Sequence, residues 1–200
     1  MECYVYRPTP FKFNLMEEAY LKDVIKLFEY YRILGEKAMD QVEENDLFWK
    51  FDPHSNSIAV IVKHLAGNML SRWTDFLNSD GEKTWRDRDS EFEADLTTKK
   101  QVIETWNTGW DSLFSALNKL KGSDMTKTIY IRNTGHSVSE AINRQLAHYA
   151  AHVGQIVLLA KMIKKEAWQS LSIPKGRSND FNKSMFSRDL KNNHFTDDLT

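Results

Sequence analysis

Residues 138–164, VSEAINRQLAHYAAHVGQIVLLAKMIK, carry the most regular pattern in the chain. Ile142, Leu146, Tyr149, Val153, Ile156, Leu159 and Ile163 recur at three- and four-residue steps, the period of one buried helical face. Ser137 with Glu140 three positions on predicts a capping box at its start. Lys161, Lys164 and Lys165 suit the negative end of the helix. On this helix His148 and His152 stand four apart, so both imidazoles share a face one turn apart, within reach of one ion. Neutral imidazole is a common ligand for zinc, nickel, copper and iron.

Three further segments have helical periodicity. The first, about 16–44, places Leu21, Ile25, Phe28, Leu34 and Met39 on one side, with Gly35 as a mild interior weakness. The second, about 57–77, follows the capping candidates Ser55, Asn56 and Ser57 and carries Ile58, Ile61, Leu65, Met69, Trp73 and Phe76. The third, about 98–120, opens on a Thr98/Gln101 capping box and carries Val102, Trp106, Trp110, Leu113, Phe114 and Leu117. Residues 127–132 read as one extended strand or a loop.

The connection from Asn78 to Thr97 is unusually long for a compact helical protein. Fully extended it spans ~60 Å, whereas a helix of the second segment's length is ~32 Å. It can therefore return the chain along the molecule and leave helices two and three parallel. The expected architecture is an all-α four-helix bundle with a helix 2–3 crossover, running up-down-down-up. A single domain over residues 1–200 is expected, ending in a tail from 166 to 200 whose first part, with Trp168, Leu171 and Ile173, packs on the helices.

The formal net charge is −1, from 27 basic and 28 acidic residues. That balance supplies no electrostatic reason for nucleic acid or an anionic membrane as partner. No window approaches ~20 continuous apolar residues, and the first thirteen residues lack a signal-peptide core. Cys3 is the single cysteine, so no internal disulfide can form. A cytoplasmic protein is the expectation.

His64 lies mid-way along helix two, where a lone histidine is most often a satisfied core or boundary residue. Its neighbours change the reading. His64, Asn68 and Arg72 recur every four residues, and so do Arg144, His148 and His152 on helix four. These groups are costly to bury without partners. Either both stripes face water, or they face each other across a polar pocket; in the second arrangement His64 completes a three-histidine site with open coordination positions. His54, His136 and His194 fall in loops or the tail and read as surface residues.

The ordered set His64-Leu65-Ala66-Gly67-Asn68-Met69-Leu70-Ser71-Arg72-Trp73-Thr74-Asp75-Phe76-Leu77, Asp80-Gly81-Glu82-Lys83, Trp85-Arg86-Asp87-Arg88-Asp89-Ser90-Glu91-Phe92, His148-Tyr149-Ala150-Ala151-His152-Val153-Gly154-Gln155-Ile156 and Ser172-Ile173-Pro174-Lys175-Gly176 resembles the DinB-like superfamily. That superfamily includes the YfiT-type proteins, and the chain looks closest to a Bacillus-type branch of unknown function. The resemblance covers about residues 16–182. It implies the crossover bundle and one divalent ion, nickel or zinc, on His64, His148 and His152. It also implies a homodimer and, by analogy with some members, thiol-dependent chemistry.

The resemblance, taken with these residues, implies three candidate functions. The first is a metal-dependent transferase using a small-molecule thiol of the bacillithiol type, with Asn68, Arg72 and Arg144 as substrate-binding candidates. For the two arginines, loop-pinning salt bridges, for example to Asp89 or Glu91, are an equal reading. The second is metal-dependent hydrolysis, for which no carboxylate is spaced on helix four as a general base. The third is a non-catalytic, stress-related metal- or ligand-binding protein, in which Trp49, Trp73, Trp85, Trp106 and Trp110 build a pocket or an interface. Trp106 and Trp110, at helical spacing, read first as core. Cys3 is a poor candidate for a reactive thiol, with no histidine beside it.

Overall fold

A computed structural model describes residues 10–198, with side chains from 15 to 197. Cys3 lies outside the described residues. The described residues are mainly helical, with five α-helices and one two-stranded sheet among them. The helices are α1 (Pro10–Met39), α2 (Ile58–Trp73), α3 (Lys99–Leu117), α4 (Val138–Lys164) and α5 (Ser178–Phe186). The strands β1 (Thr128–Ile131) and β2 (Thr134–Ser137) pair antiparallel, Ile129 opposite His136.

The four long helices bury one continuous apolar core. Phe28 of α1, Leu65 of α2, Trp106, Trp110 and Leu113 of α3 and Tyr149 and Ile156 of α4 are all within 1% of full burial. Rings supply much of the contact: Phe28 meets Trp73, Trp110 and Tyr149 at centroid distances of 6.2, 6.5 and 6.0 Å. Trp49 and Trp85 instead point outward, 39% and 59% exposed.

Helix α2 runs parallel to α3. Ala59 and Val60 lie near Leu96 and Thr97, Ala66 and Leu70 near Gln101 to Thr108, and Trp73 to Leu77 near Ser112 to Leu120. Helix α4 is likewise parallel to α1, with the Tyr20 hydroxyl on Asn143 at one end and Gln41 bonded to Gln169 at the other. The long connection therefore does return the chain along α2. Close approach needs small residues at two points. A Cβ on Gly109 would stand 2.8 Å from the Ala66 Cα, and one on Gly35 would stand 2.6 Å from the Trp106 ring. Gly35, a weak point by helix propensity alone, is where α1 admits an indole.

Several boundaries differ from the sequence reading. Helix α1 stops at Met39, short of 44, and a 3₁₀ turn, Glu44–Phe48, follows. There the Glu43 and Asp46 carboxylates each accept the other residue's backbone N–H, and Leu47 folds fully into the core. Helix α2 stops at Trp73, short of 77, because Asp75 adopts a left-handed conformation (φ 49°) that accepts bonds from Asn78 and Ser79. The Thr98/Gln101 capping box is present. That of α4 is half made: Ser137 accepts from the Glu140 N–H, but the Glu140 carboxylate turns to His136 at 2.7 Å.

The 127–132 segment is one arm of a hairpin. Its partner, Thr-Gly-His-Ser, has no apolar alternation, so periodicity did not mark it. The turn uses Arg132 and Asn133 with φ of 54° and 60°, and both backbone N–H groups donate to the Asp80 carboxylate at 2.8 Å. In the tail, Trp168 and Leu171 pack on the core and α5 forms beyond them.

Helix α4, continued to Ala167, is long and apolar enough by length and composition to cross a membrane, at mean hydropathy 1.2 over eighteen residues. Only 22% of that window is buried. Its apolar content is thus split between the core face and an outer face bearing Leu158 and Met162.

Candidate metal centre

The polar stripe of α2 is buried, not solvated: His64, Asn68 and Arg72 are 5%, 5% and 6% exposed. Helix α4 meets it with half-buried His148 and His152. The three histidines present ring nitrogens that all lie within 4.8 Å of one another. His64 Nε2 is 3.4 Å from His148 Nε2, which is 3.0 Å from His152 Nε2. Two imidazoles bound to one ion at 2.0–2.1 Å and at tetrahedral or octahedral angles stand about 2.9–3.4 Å apart. The His64–His148 and His148–His152 separations both fall in that range.

Hydrogen-bond accounting gives the same result. His64 Nδ1 faces Glu91 Oε2 at 2.9 Å, and His152 Nδ1 faces Gln155 Oε1 at 2.8 Å. Both partners are acceptors, so each Nδ1 donates and each Nε2 is left with a lone pair. Both lone pairs converge on His148 Nε2, which has at most one proton to give. A divalent ion satisfies all three nitrogens; a proton cannot.

The electrostatics favour neutral His148 and His152 rings. Burial, with His152, His64, Arg72 and Arg86 adding to it, pushes His148 down to about 4. Burial also lowers His152, with the Gln155 contact opposing. Neutral imidazole is the form that ligates. Against burial, which opposes it, the contacts from His64 and Arg86 hold the Glu91 carboxyl below the usual carboxylate range.

The profile of a family described as "Protein of unknown function (DUF1572)" matches residues 16–177, from α1 to the edge of α5. The chain belongs to the DUF1572 family. Neither a curated protein nor a solved structure matches it.

In this DUF1572 chain the three histidines singled out by spacing come together, and the other three do not join them. His136 pairs with Glu140, and His194 with Thr196 in the tail. The flanking polar residues have partners of their own. Asn68 accepts from the Tyr149 hydroxyl at 3.0 Å. Arg72 donates to the Gly81 carbonyl and to Glu82 Oε2 at 3.1 Å, pinning the start of the crossover. This is the loop-pinning reading of Arg72, with Glu82 in place of Asp89 or Glu91. Arg144 is exposed and turns to the His136 ring, at 3.4 Å, and to the charge of Glu140. The two stripes thus meet through their histidines and diverge at the Arg144 end.

Sequence reasoning missed Glu91 as the partner of His64. It also missed Arg86, whose Nε and Nη2 hold Glu91 at 2.7 and 2.9 Å. Both lie on the crossover, where no period marks an inward-facing residue. Two charged residues five apart in a long connection were the available signal.

Proposed function

We propose that this chain is a DinB-like metalloprotein: an up-down-down-up four-helix bundle in which His64, His148 and His152 hold one divalent ion, nickel or zinc. The observation that carries the reading is the convergence of the three Nε2 atoms at 3.4 and 3.0 Å with both outer Nδ1 atoms committed as donors. Parallel pairing of α2 with α3 and of α1 with α4 supports the bundle.

The activity proposed is transfer of a small-molecule thiol, of the bacillithiol type, to an electrophile. A divalent ion held by His64, His148 and His152 would lower the pKa of a small-molecule thiol and so favour its thiolate, the thiol proton leaving to solvent. The chain's own residues bind and orient. His148 and His152 are half-buried, so the site has a solvent side for substrate. Arg144, exposed one turn before His148, is placed to meet a substrate carboxylate. Asn68 and Arg72 act from behind, holding Tyr149 and the crossover. The thiol reading is favoured over hydrolysis because the carboxylate touching the triad, Glu91, is engaged by both His64 and Arg86 and is not free as a general base.

A homodimer is proposed through α4, whose outer face presents Ala147, Ala151, Gly154, Leu158 and Met162 to solvent.

The test is elemental analysis of the purified protein and of the three His→Ala variants, followed by a thiol assay. One ion per chain, lost in each variant, is expected, with bacillithiol and monochlorobimane consumed faster than by His152→Ala. No bound ion and no uptake on titration with nickel or zinc overturns the metal reading. Equal thiol consumption by the two proteins overturns the transferase reading.

A further inference from the structure

The His64–Glu91 contact joins the candidate centre to the crossover. Glu91 is a charged residue buried to 5% exposure, an expensive placement unless its oxygens are satisfied. They are: Oε1 accepts from Arg86 Nε at 2.7 Å, and Oε2 accepts from Arg86 Nη2 at 2.9 Å and faces His64 Nδ1 at 2.9 Å. The Arg86 side chain is itself 2% exposed, and its Nη1 faces both Glu82 carboxylate oxygens at about the same distance, 3.5 and 3.4 Å. Glu82 also receives Arg72. With Arg132 of the hairpin turn also on Glu82, at 3.2 Å, two carboxylates and three guanidiniums therefore form one network, with the His64 ring at its inner end.

The α2 backbone leaves room for this network. A Cβ on Gly67 would stand 2.7 Å from the Glu91 carboxylate carbon and closer still to Oε1. Gly67 lies one turn from His64 on the same helix. With any larger residue there, the carboxylate could not reach the ring where it now sits. The outer side of His64 is closed by Phe92, stacked at 4.9 Å, and Phe92 is covered by the Arg88 guanidinium at 5.1 Å from its ring centre. Four crossover residues thus set the position, tilt and protonated nitrogen of one α2 ring.

We propose that Glu91 is the positioning residue of the candidate metal centre: it holds the proton of His64 on Nδ1, so that Nε2 is the ligand atom. Arg86 and Gly67 are the residues that allow it to do so. A carboxylate behind a ligating histidine fixes the ring's tautomer and raises its basicity, and its loss commonly weakens metal binding by about tenfold to a hundredfold. The coupling also runs the other way. An ion that draws the Nε2 lone pair makes Nδ1–H a stronger donor to Glu91, so occupancy of the site tightens residues 82–92 against α2. The crossover, otherwise a long connection without regular structure, becomes part of the centre. This inference rests on the metal reading given above.

The experiment has three readouts on the full chain. Long-range ¹H–¹⁵N spectra of the metal-free wild-type protein near pH 7.5 report the His64 tautomer; Nδ1–H is expected, and Nε2–H overturns the proposal without any variant. Zinc affinity by competition with a chromophoric chelator is then compared for wild type, Glu91→Gln and Gly67→Ala. A loss of tenfold or more in each variant, with the helical circular dichroism retained, is expected. Affinity within twofold of wild type in either folded variant overturns it. Third, hydrogen exchange over residues 82–92 should slow when zinc is added to wild type and change little in Glu91→Gln; equal slowing in both overturns the coupling. Failure of the metal reading looks different: wild type then takes up no zinc, or His64→Ala takes it up as tightly as wild type.

Discussion

The Tyr149 hydroxyl donates to the Asn68 side-chain carbonyl at 3.0 Å while accepting from the Trp73 indole N–H at 3.1 Å. All three residues are buried, and Tyr149 lies next to His148 in sequence. Burial of the phenol raises its pKa well above the ordinary value, so it remains a donor at every physiological pH. Tyr149→Phe strands an acceptor on Asn68 and a donor on Trp73. It should destabilise the protein by about 1–3 kcal/mol in urea titrations. Metal stoichiometry should not change, because none of the three Nε2 atoms loses a partner.

Gly109→Ala tests the parallel packing of α2 on α3. Helix propensity alone favours alanine by about 1 kcal/mol. The added methyl would meet the Ala66 backbone at 2.8 Å, and a backbone atom cannot rotate away. The net effect should be destabilising by about 1–3 kcal/mol, as for other overpacked cores. A more stable Gly109→Ala protein would mean that the two helices are farther apart than described.

Acid should weaken the metal-free protein over a defined window. An unfolded histidine titrates near 6.5. In the folded protein His148 is pushed down to about 4, first by burial, then by His152, by His64 and Arg72 from α2, and by Arg86 from the crossover. Between these values the unfolded chain binds a proton that the folded chain refuses. Stability is therefore full above about 6.5, falls as the pH falls, and the histidine's share of the slope ends near 4. Lowered His152 acts with the same sign. Urea midpoints at pH 7.5, 5.5 and 4.5 should drop in that order, and His148→Asn should flatten the trend. An unchanged trend in that variant would count against a neutral buried His148.

Asp80 should control the hairpin without touching the histidines. Its carboxylate accepts the backbone N–H groups of Arg132, Asn133 and Glu82, and those bonds hold its pKa below the usual range against a desolvation that raises it. Neither turn residue is glycine, so the left-handed turn depends on that anchor. Asp80→Ala should speed amide exchange over residues 128–137 and leave zinc uptake intact. Unchanged exchange would show the turn holding without its anchor.

The proposed dimer face gives a direct readout. Leu158→Glu with Met162→Glu places charge on the outer side of α4, away from the ligand nitrogens. Light scattering should report a dimer for wild type and a monomer for the double variant, with helical content retained. A monomeric wild-type protein would remove this proposal.

The four long helices and the histidine spacing were legible in the sequence, and the reason is locality. A helix of 3.6 residues per turn writes its buried face into nearby positions, so Ile142, Tyr149, Val153 and Ile156 marked α4 within one residue of its observed ends. The four-residue step from His148 to His152 set their common face by the same geometry. Chain length alone made a parallel α2 and α3 reachable. Elements without a period were less visible. The second hairpin strand has one polar or small residue after another, and α5 lies in a polar tail.

Which polar groups meet was a matter of packing. His64 and His148 are 84 residues apart and touch because α2 and α4 press together in one register; one turn of slip would have set His64 against a different residue. Glu91 reaches His64 from a connection whose course is fixed by Arg72, Arg86 and the gap at Gly67, contacts that no spacing rule contains. The same packing carried Arg144 out to solvent, though its position in the stripe matched that of the histidines. Periodicity places a residue on a face of its own element. Contact between faces depends on how side chains of many elements fill one volume, and the chain resolves that only when it folds.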